Sequence, residues 1–264
     1  MGRLEGKTAV ILGASKRDNM GQVVARRFIA EGARVVVSGR DREELERFAA
    51  QAGALAVACD ITRKEDIESL ARAAKQKYGR IDLAVNCSGW AKGGAFCDFA
   101  EADLVQMMNI QFKGPFQFFQ VMLQNLQTGG CIIQVSSATA TIMSYDYEAY
   151  MGTKAGIDHV IRAVANEFGP KGIRANSISP GLTETPMTQL VFKTPGVVDA
   201  FTEGYPLGRL GTSEDIAAAA VWLASDECFM TGQNLQVNGG LTLRSNPSPE
   251  QRKAAMARAA ASKR

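Results

Sequence analysis

The stretch "YEAYMGTKAG", Tyr147 to Gly156, places two phenols upstream of one lysine. Tyr150 lies four residues before Lys154, and Tyr147 lies seven before it. On a helix these spacings are close to one and two turns, so both phenols can share the lysine's face. An ammonium beside a phenol favours the phenolate and lowers its pKa from about 10. The result is a proton donor and acceptor that works near neutral pH. Spacing alone leaves open which tyrosine holds that role.

The elements that must carry this stretch can be read from the apolar pattern. Short runs alternate with helical periodicity: "TAVIL" (8–12), "RVVVS" (34–38), "LAVAC" (55–59), "IDLAVN" (81–86), "CIIQVS" (131–136), "IRANSIS" (173–179) and a closing "NLQVNGG". Helices are expected near 21–31, 41–51, 63–78, 101–126, 150–168 and 213–224. The strands are β-branched and nearly all apolar, as parallel strands covered on both faces must be. Repeated β-α alternation predicts an α/β fold: a single-domain, doubly wound parallel sheet of Rossmann type with helices on both faces. This catalytic domain is expected to fill residues 1–244.

Two segments fall outside the rhythm. Residues 182–206 hold Pro186, Pro195, Gly196 and Pro206, and a long loop in a compact domain is usually a functional lid. The tail, 245–264, opens with Ser248-Pro249-Glu250-Gln251, a capping-box-like start with Pro at the first helical position, and then turns Ala-rich. A frayed, solvated helix or disordered tail is expected there, with an arm docking on a neighbouring subunit as the sharper alternative.

The first strand runs into "GASKRDNMGQ" and a helix. Glycines at such a turn let backbone amides approach a pyrophosphate at the helix N-terminus. Gly13 supplies the turn and Gly21 starts the helix, with Ser15, Lys16 and Arg17 between them. The second strand ends in Ser38, Gly39 and Arg40, where an NAD site would carry an acid for the ribose hydroxyl. A guanidinium and a hydroxyl suit a 2′-phosphate instead, so NADP(H) is expected over NAD(H). The competing role for Arg40 is a salt bridge to Glu44 on a solvated helix. Asp60 follows the third strand, placed for an adenine edge. Asn86, Ser88 and Gly89 end the fourth on the same rim.

Composition narrows the function further. The chain has 264 residues, 46% of them hydrophobic, and a net charge of +3. In the tail Arg252, Lys253, Arg258, Lys263 and Arg264 face only Glu250, which leaves the rest near −1. No nucleic-acid surface follows from that balance. Five scattered cysteines and a single histidine, His159, argue against a metal site and suit a reducing compartment. No run suggests a signal peptide or a membrane span, so a cytoplasmic location is expected.

Taken in order, the Gly13 loop, "CDI", "NCSG", "VSSA", Tyr150-x-x-x-Lys154, "SPGLTETPM" and "GQNLQVNGG" resemble the short-chain dehydrogenase/reductase family over about residues 5–242. The resemblance implies Tyr150 as general acid/base, Lys154 lowering its pKa and holding the nicotinamide ribose, and Ser137 hydrogen-bonding the reacting carbonyl. It also implies cofactor contacts from Ile61 and from Pro180, Gly181, Thr183 and Thr185, a substrate lid at 182–206, and a homotetramer. Trp90, Met143 and Tyr147 fall where a substrate passes. The glycine loop departs from the family's usual spacing and resembles that of enoyl-thioester reductases, which use Tyr-x₆-Lys, the spacing of Tyr147. Gln111 stands where the family has the Asn that anchors a proton-relay water, so the resemblance implies a catalytic role for Gln111, with Asn109, two residues earlier, as the alternative. Ser137, a small hydroxyl where the enoyl reductases carry a bulky tyrosine, favours Tyr150 and carbonyl chemistry. The expected activity interconverts a ketone and a secondary alcohol. The alternatives are reduction of an enoyl thioester through Tyr147, or a non-catalytic cofactor-binding protein.

Overall fold

The computed structural model describes residues 2–261. Lys263 and Arg264, counted among the tail's cations, lie outside the described residues. In chain order the first half comprises β1 (Thr8–Leu12), α1 (Met20–Ala30), β2 (Arg34–Gly39), α2 (Arg42–Ala52), β3 (Leu55–Ala58), α3 (Lys64–Tyr78), β4 (Ile81–Asn86), α4 (Glu101–Met108) and α5 (Gly114–Leu123). The second half comprises β5 (Leu126–Val135), α6 (Glu148–Phe168), β6 (Arg174–Pro180), α7 (Gln189–Lys193), α8 (Val197–Thr202), α9 (Ser213–Ala224), β7 (Asn234–Val237) and α10 (Pro249–Ala261).

The strands form one parallel sheet in the order β3-β2-β1-β4-β5-β6-β7. The order reverses direction between β1 and β4, and ligands of open α/β sheets bind in the crevice at such a switch point. Two cores cover the two faces. Phe28, Phe48 and Leu45 pack with Ile216 and Val221 on one side. Ile67, Leu70, Phe118, Phe119, Ile157 and Ile161 pack on the other. The central strands β1 and β4 are buried throughout, which explains their unbroken apolar runs.

Helix starts follow from local chemistry. Asn19 Oδ1 accepts from Gln22 N–H at 3.0 Å to open α1, and Asp41 Oδ1 accepts from Glu44 N–H at 3.1 Å to open α2. Thr212 and Asp215 form a reciprocal capping box on α9.

The single helix expected over 101–126 is interrupted. Residues 109–113 form a π turn, closed by the Gly114 N–H donating to Asn109 O, five residues back. The next residue is Pro115, which has no N–H to return to Gln111 O, so the ordinary ladder cannot resume there. The widened turn carries Gln111 into the interior, where it is buried.

Over its described part the tail forms a helix, and most of its residues are exposed, as expected of a solvated helix. Ser248 and Gln251 exchange hydrogen bonds, Ser248 N–H to Gln251 Oε1 at 2.7 Å and Gln251 N–H to Ser248 Oγ at 3.2 Å, as the sequence pattern predicts. The helix then docks on its own chain. Ala255 is buried, and Gly196 lies so close that a side chain there would meet Ala255 O at 2.5 Å. Asn246 Nδ2 donates to Met143 O at 2.9 Å, and Arg244 donates to Glu203 O at 2.8 Å. The arm therefore ties the lid helices to the loop that precedes α6. Burying a charge at this contact undocks it: Ala255→Asp is expected to speed tryptic cleavage at Arg252, Lys253 and Arg258 by about 10-fold or more, while the sheet stays protected. Limited proteolysis read by mass spectrometry checks this.

Candidate active site

The nucleotide side of the crevice is built by β1 and β2. Gly13 has φ 99°, and a Cβ there would lie 2.5 Å from the main chain of Cys87 and Ser88 at the end of β4. Only glycine fits, because the turn is left-handed and two backbones touch. The Gly13 and Ala14 N–H groups both donate to Ser38 O, at 2.8 and 2.9 Å, which fixes the loop to β2. Asn19 Nδ2 adds a bond to Gly13 O at 2.8 Å. Gly21 starts α1 beside Gly13, and Ser15 packs against the bare face of Gly39.

Two expectations change here. Ser38 is fully buried, and its hydroxyl has no hydrogen bond. It points into the fold rather than to the surface, so its carbonyl is the part that serves the loop. Ile61 likewise sinks its side chain into the core beside α3. Arg40 does not pair with Glu44. That carboxylate takes Arg47 and Gln22 instead, and Arg47 holds it down at about 2. Arg40 is exposed, with no ion pair within 4 Å among the described residues, and Lys16 and Arg17 are exposed in the glycine loop. Three cations around a glycine cradle fit a nucleotide phosphate. Asp60 Oδ1 accepts from both the N–H and the hydroxyl of Thr62, at 2.9 and 2.8 Å, shaping the turn after β3.

Asn86 sits buried at the end of β4. Its Nδ2 donates to Gln134 Oε1 at 2.8 Å, and its Oδ1 accepts from Ser88 N–H at 3.0 Å and Ser88 Oγ at 2.6 Å. This holds the Ser88–Gly89–Trp90 turn at the rim. Gln111 completes that turn from the π segment, donating Nε2 to Trp90 O at 2.8 Å. Asn109 contributes its carbonyl to the π turn and stays half-buried.

The side of the crevice that carries the lysine and the two tyrosines is made by β5 and α6. Lys154 is buried, and its Nζ donates to Val135 O at 2.9 Å. Burial lowers its pKa to about 8, and Asp158 opposes that fall. Its ammonium lies 5.5 Å from the centre of the Tyr150 ring. Tyr147 stands at the N-cap, just outside the helix, and meets Tyr150 edge-on at 6.4 Å. The structure therefore does not stack both phenols on the lysine's helical face. The residue before Tyr147, Asp146, takes a left-handed φ of 66°, and its carbonyl accepts from Gly94 N–H at 2.9 Å.

Ser137 Oγ lies 2.9 Å from Thr139 Oγ1, and Ser179 Oγ pins the Ser137 carbonyl at 3.0 Å. The Tyr150 pKa does not fall as spacing suggested. Burial pushes it up to about 12, with a hydrogen bond from Ser137 acting in the opposite direction. Lys154 sits over the ring, and its ammonium donates a hydrogen bond to Val135 O.

Across the crevice, β6 runs into Pro180, Gly181 and Thr183. Thr183 is buried with Oγ1 donating to Gly181 O at 3.1 Å, and Thr185 N–H donates to Thr188 Oγ1 at 3.0 Å. Tyr205 is buried under this segment and accepts from Leu182 N–H at 2.5 Å, a latch on the lid that sequence reasoning missed. Met143 is largely exposed and Trp90 half-buried at the outer rim. His159 is exposed on α6. No cluster of metal-ligating side chains occurs among the described residues, and no described helix is long and apolar enough to cross a membrane.

With the crevice, the lysine–tyrosine pair and the serine in place, comparison with known proteins defines the family. A family model described as enoyl-(acyl carrier protein) reductase matches residues 13–242. The 3beta-hydroxysteroid dehydrogenase 1 of Eggerthella lenta is 34% identical over 250 residues, covering 91% of this chain and 95% of that protein. The 3-oxoacyl-(acyl-carrier-protein) reductase FabG of Thermotoga maritima is 32% identical, covering 91% of this chain and all of that one. A short-chain dehydrogenase/reductase from Brucella melitensis superposes with a TM-score of 0.86 at 32% identity, covering 91% of this chain and 99% of that chain. This chain belongs to the short-chain dehydrogenase/reductase family, NAD(P)-dependent oxidoreductases acting on CH–OH and C=O groups.

The latch makes a prediction with a definite sign. Burial pushes the Tyr205 pKa up to about 12, with the Leu182 N–H opposing it. An unfolded tyrosine ionises near 10. Tyr205 thus stabilises the fold fully below about pH 10, and this is lost as pH rises toward about 12. Urea unfolding at about pH 9 and about pH 11 should show a loss in the native chain that exceeds that of Tyr205→Phe by on the order of 1 kcal/mol.

Proposed function

We propose that the protein is an NADP(H)-dependent oxidoreductase that interconverts a ketone and a secondary alcohol, with Tyr150 as general acid/base. The observation that carries this reading is the pairing of Lys154 with Tyr150, and not Tyr147, beside the small hydroxyl of Ser137.

Hydride arriving at a carbonyl carbon builds negative charge on its oxygen. Donors that strengthen on that oxygen lower the barrier. Ser137 and Tyr150 are the donors here, and Tyr150 hands over the proton. A nicotinamide cofactor, when bound, supplies or takes the hydride. Gly13, Ser15, Lys16, Gly21 and Arg40 would hold its phosphates, with Asp60 at the adenine end. Asn86, Ser88, Gly89, Lys154, Pro180, Gly181, Thr183 and Thr185 would line its ribose and nicotinamide end. The exposed, unpaired Arg40 supports NADP(H) over NAD(H). Trp90, Met143 and Tyr147 would wall the substrate, and Gln111 would hold the Trp90 turn.

The names of the hydroxysteroid dehydrogenase and the 3-oxoacyl reductase support chemistry at a ketone carbon. The family model's description and the long glycine loop support the second reading, enoyl-thioester reduction through Tyr147. Exposed Leu104, Val105 and Met108 on α4, with Phe116 on α5, support burial of that face in a homotetramer. Five free cysteines support a reducing, cytoplasmic setting.

The deciding assay is NADPH oxidation with ketones and 2-enoyl thioesters side by side, with NADH as control. Turnover of ketones is expected. Tyr150→Phe should lower kcat by about 100-fold or more, while Tyr147→Phe stays within about 10-fold. The reverse ranking, with enoyl thioesters consumed, would overturn the assignment. Arg40→Ala should raise KM for NADPH by about 10-fold and leave that for NADH nearly unchanged.

A further inference from the structure

Asp158 lies one helical turn beyond Lys154 on α6 and is largely withdrawn from solvent. Its Oδ2 accepts from Ser136 Oγ at 2.8 Å and from Asn234 Nδ2. Burial raises its pKa, and the Ser177 and Ser136 hydroxyls, the Lys154 ammonium and Asn234 oppose that rise. The residue after β5 and the first residue of β7 thus meet on one carboxylate. Ser136 is also the residue after Val135, whose carbonyl takes the Lys154 ammonium. Two successive residues at the end of β5 therefore grip two successive turns of α6, one through the cation and one through the anion.

We propose that Asp158 is a positioning residue for the Tyr150–Lys154 pair: its carboxylate ties α6 to the residue after β5 and to β7, and acts as the counter-ion that keeps the buried Lys154 protonated. The proposal rests on the reading of Lys154 as the partner of Tyr150.

A buried ammonium with no anion nearby tends to lose its proton. The groups facing Lys154 are few. Tyr150 lies one turn back, and Cys87 comes from just past β4 with a thiol that burial pushes up to about 12, so it stays neutral. That leaves Asp158 as the facing group that carries negative charge. His159 and Arg162, the neighbouring titratable groups of α6, are exposed to solvent. The Asn234 bond has a second consequence. It ties the edge strand β7 to the catalytic helix, so the end of the sheet also bears on Lys154.

The test follows two readouts from about pH 6 to about pH 10: NADPH affinity by cofactor fluorescence, and kcat/KM for ketone reduction. Lys154 takes part in both. In Asp158→Asn the alkaline limb of each profile should move down by about 1 pH unit. Ser136→Ala removes one hydrogen bond but keeps the charge, so it should lower Tm and leave both limbs in place. A merely structural role predicts that Asp158→Asn behaves like Ser136→Ala, with limbs unmoved, and that result overturns the proposal. Should Asp158→Asn not fold, Asn234→Lys on the half-exposed edge strand carries the test. A cation there offsets the Asp158 charge and should lower both limbs; unmoved limbs would again overturn the proposal. A native chain that binds NADPH but turns over no ketone counts against the proposed function alone, because the binding limb still reads Asp158.

Discussion

A buried ammonium is the constraint around which this site is organised. Lys154 is almost wholly withdrawn from water, and an isolated charge there is costly unless it is held by hydrogen bonds. Its bond to Val135 O fixes the end of β5 against the middle turn of α6. That one contact sets the height of α6 over the sheet, and with it the position of the Tyr150 ring under the ammonium. Ser137, two residues past Val135, arrives beside the same phenol because the strand ends there. Ser179 from β6 secures its carbonyl.

The rest of the crevice is an arrangement of strand ends. β1 and β4 part at the switch point, and Gly13 lets the loops after them touch. Asn86 and Gln134 tie β4 to β5 from within, so the floor of the crevice is hydrogen-bonded side chain to side chain rather than filled by apolar packing. Such a polar floor is stable because its members satisfy one another, and it resists the small shifts that would misplace a reacting group. The π turn serves the same end. Pro115 breaks the ladder of the α4–α5 helix where Gln111 must turn inward to hold Trp90.

The outer wall is built differently. The lid after β6 has short helices and few buried residues, and it is held by the Tyr205 latch and by α10 packing on α8. Through Asn246 the same arm reaches the loop carrying Met143. Lid and catalytic loop are therefore mechanically joined by a segment far from either in sequence. A scaffold of rigid strand ends beneath a loosely packed cover is how α/β enzymes keep chemistry fixed while the opening adapts.

The alternating apolar runs determined the fold by themselves, because parallel strands covered on both faces admit almost no polar residue and each helix must bury one stripe. Gly13, Ser137, Tyr150 and Lys154 were legible for a related reason: their spacing is local or fixed by chain order. The capping box at Ser248 was equally local. What the sequence could not reveal depended on contacts between distant segments. Ser38 and Ile61 sit in motifs that face a ligand, yet the pleat of β2 buries the Ser38 side chain and the turn after β3 sinks that of Ile61 into the core. The elevated Tyr150 pKa reflects its burial, which a position four residues from Lys154 does not specify. Asp158, Tyr205 and Asn246 carry no motif. Their partners lie on β5 and β7, on the segment after β6, and on the loop before α6, and only the folded chain brings those segments together.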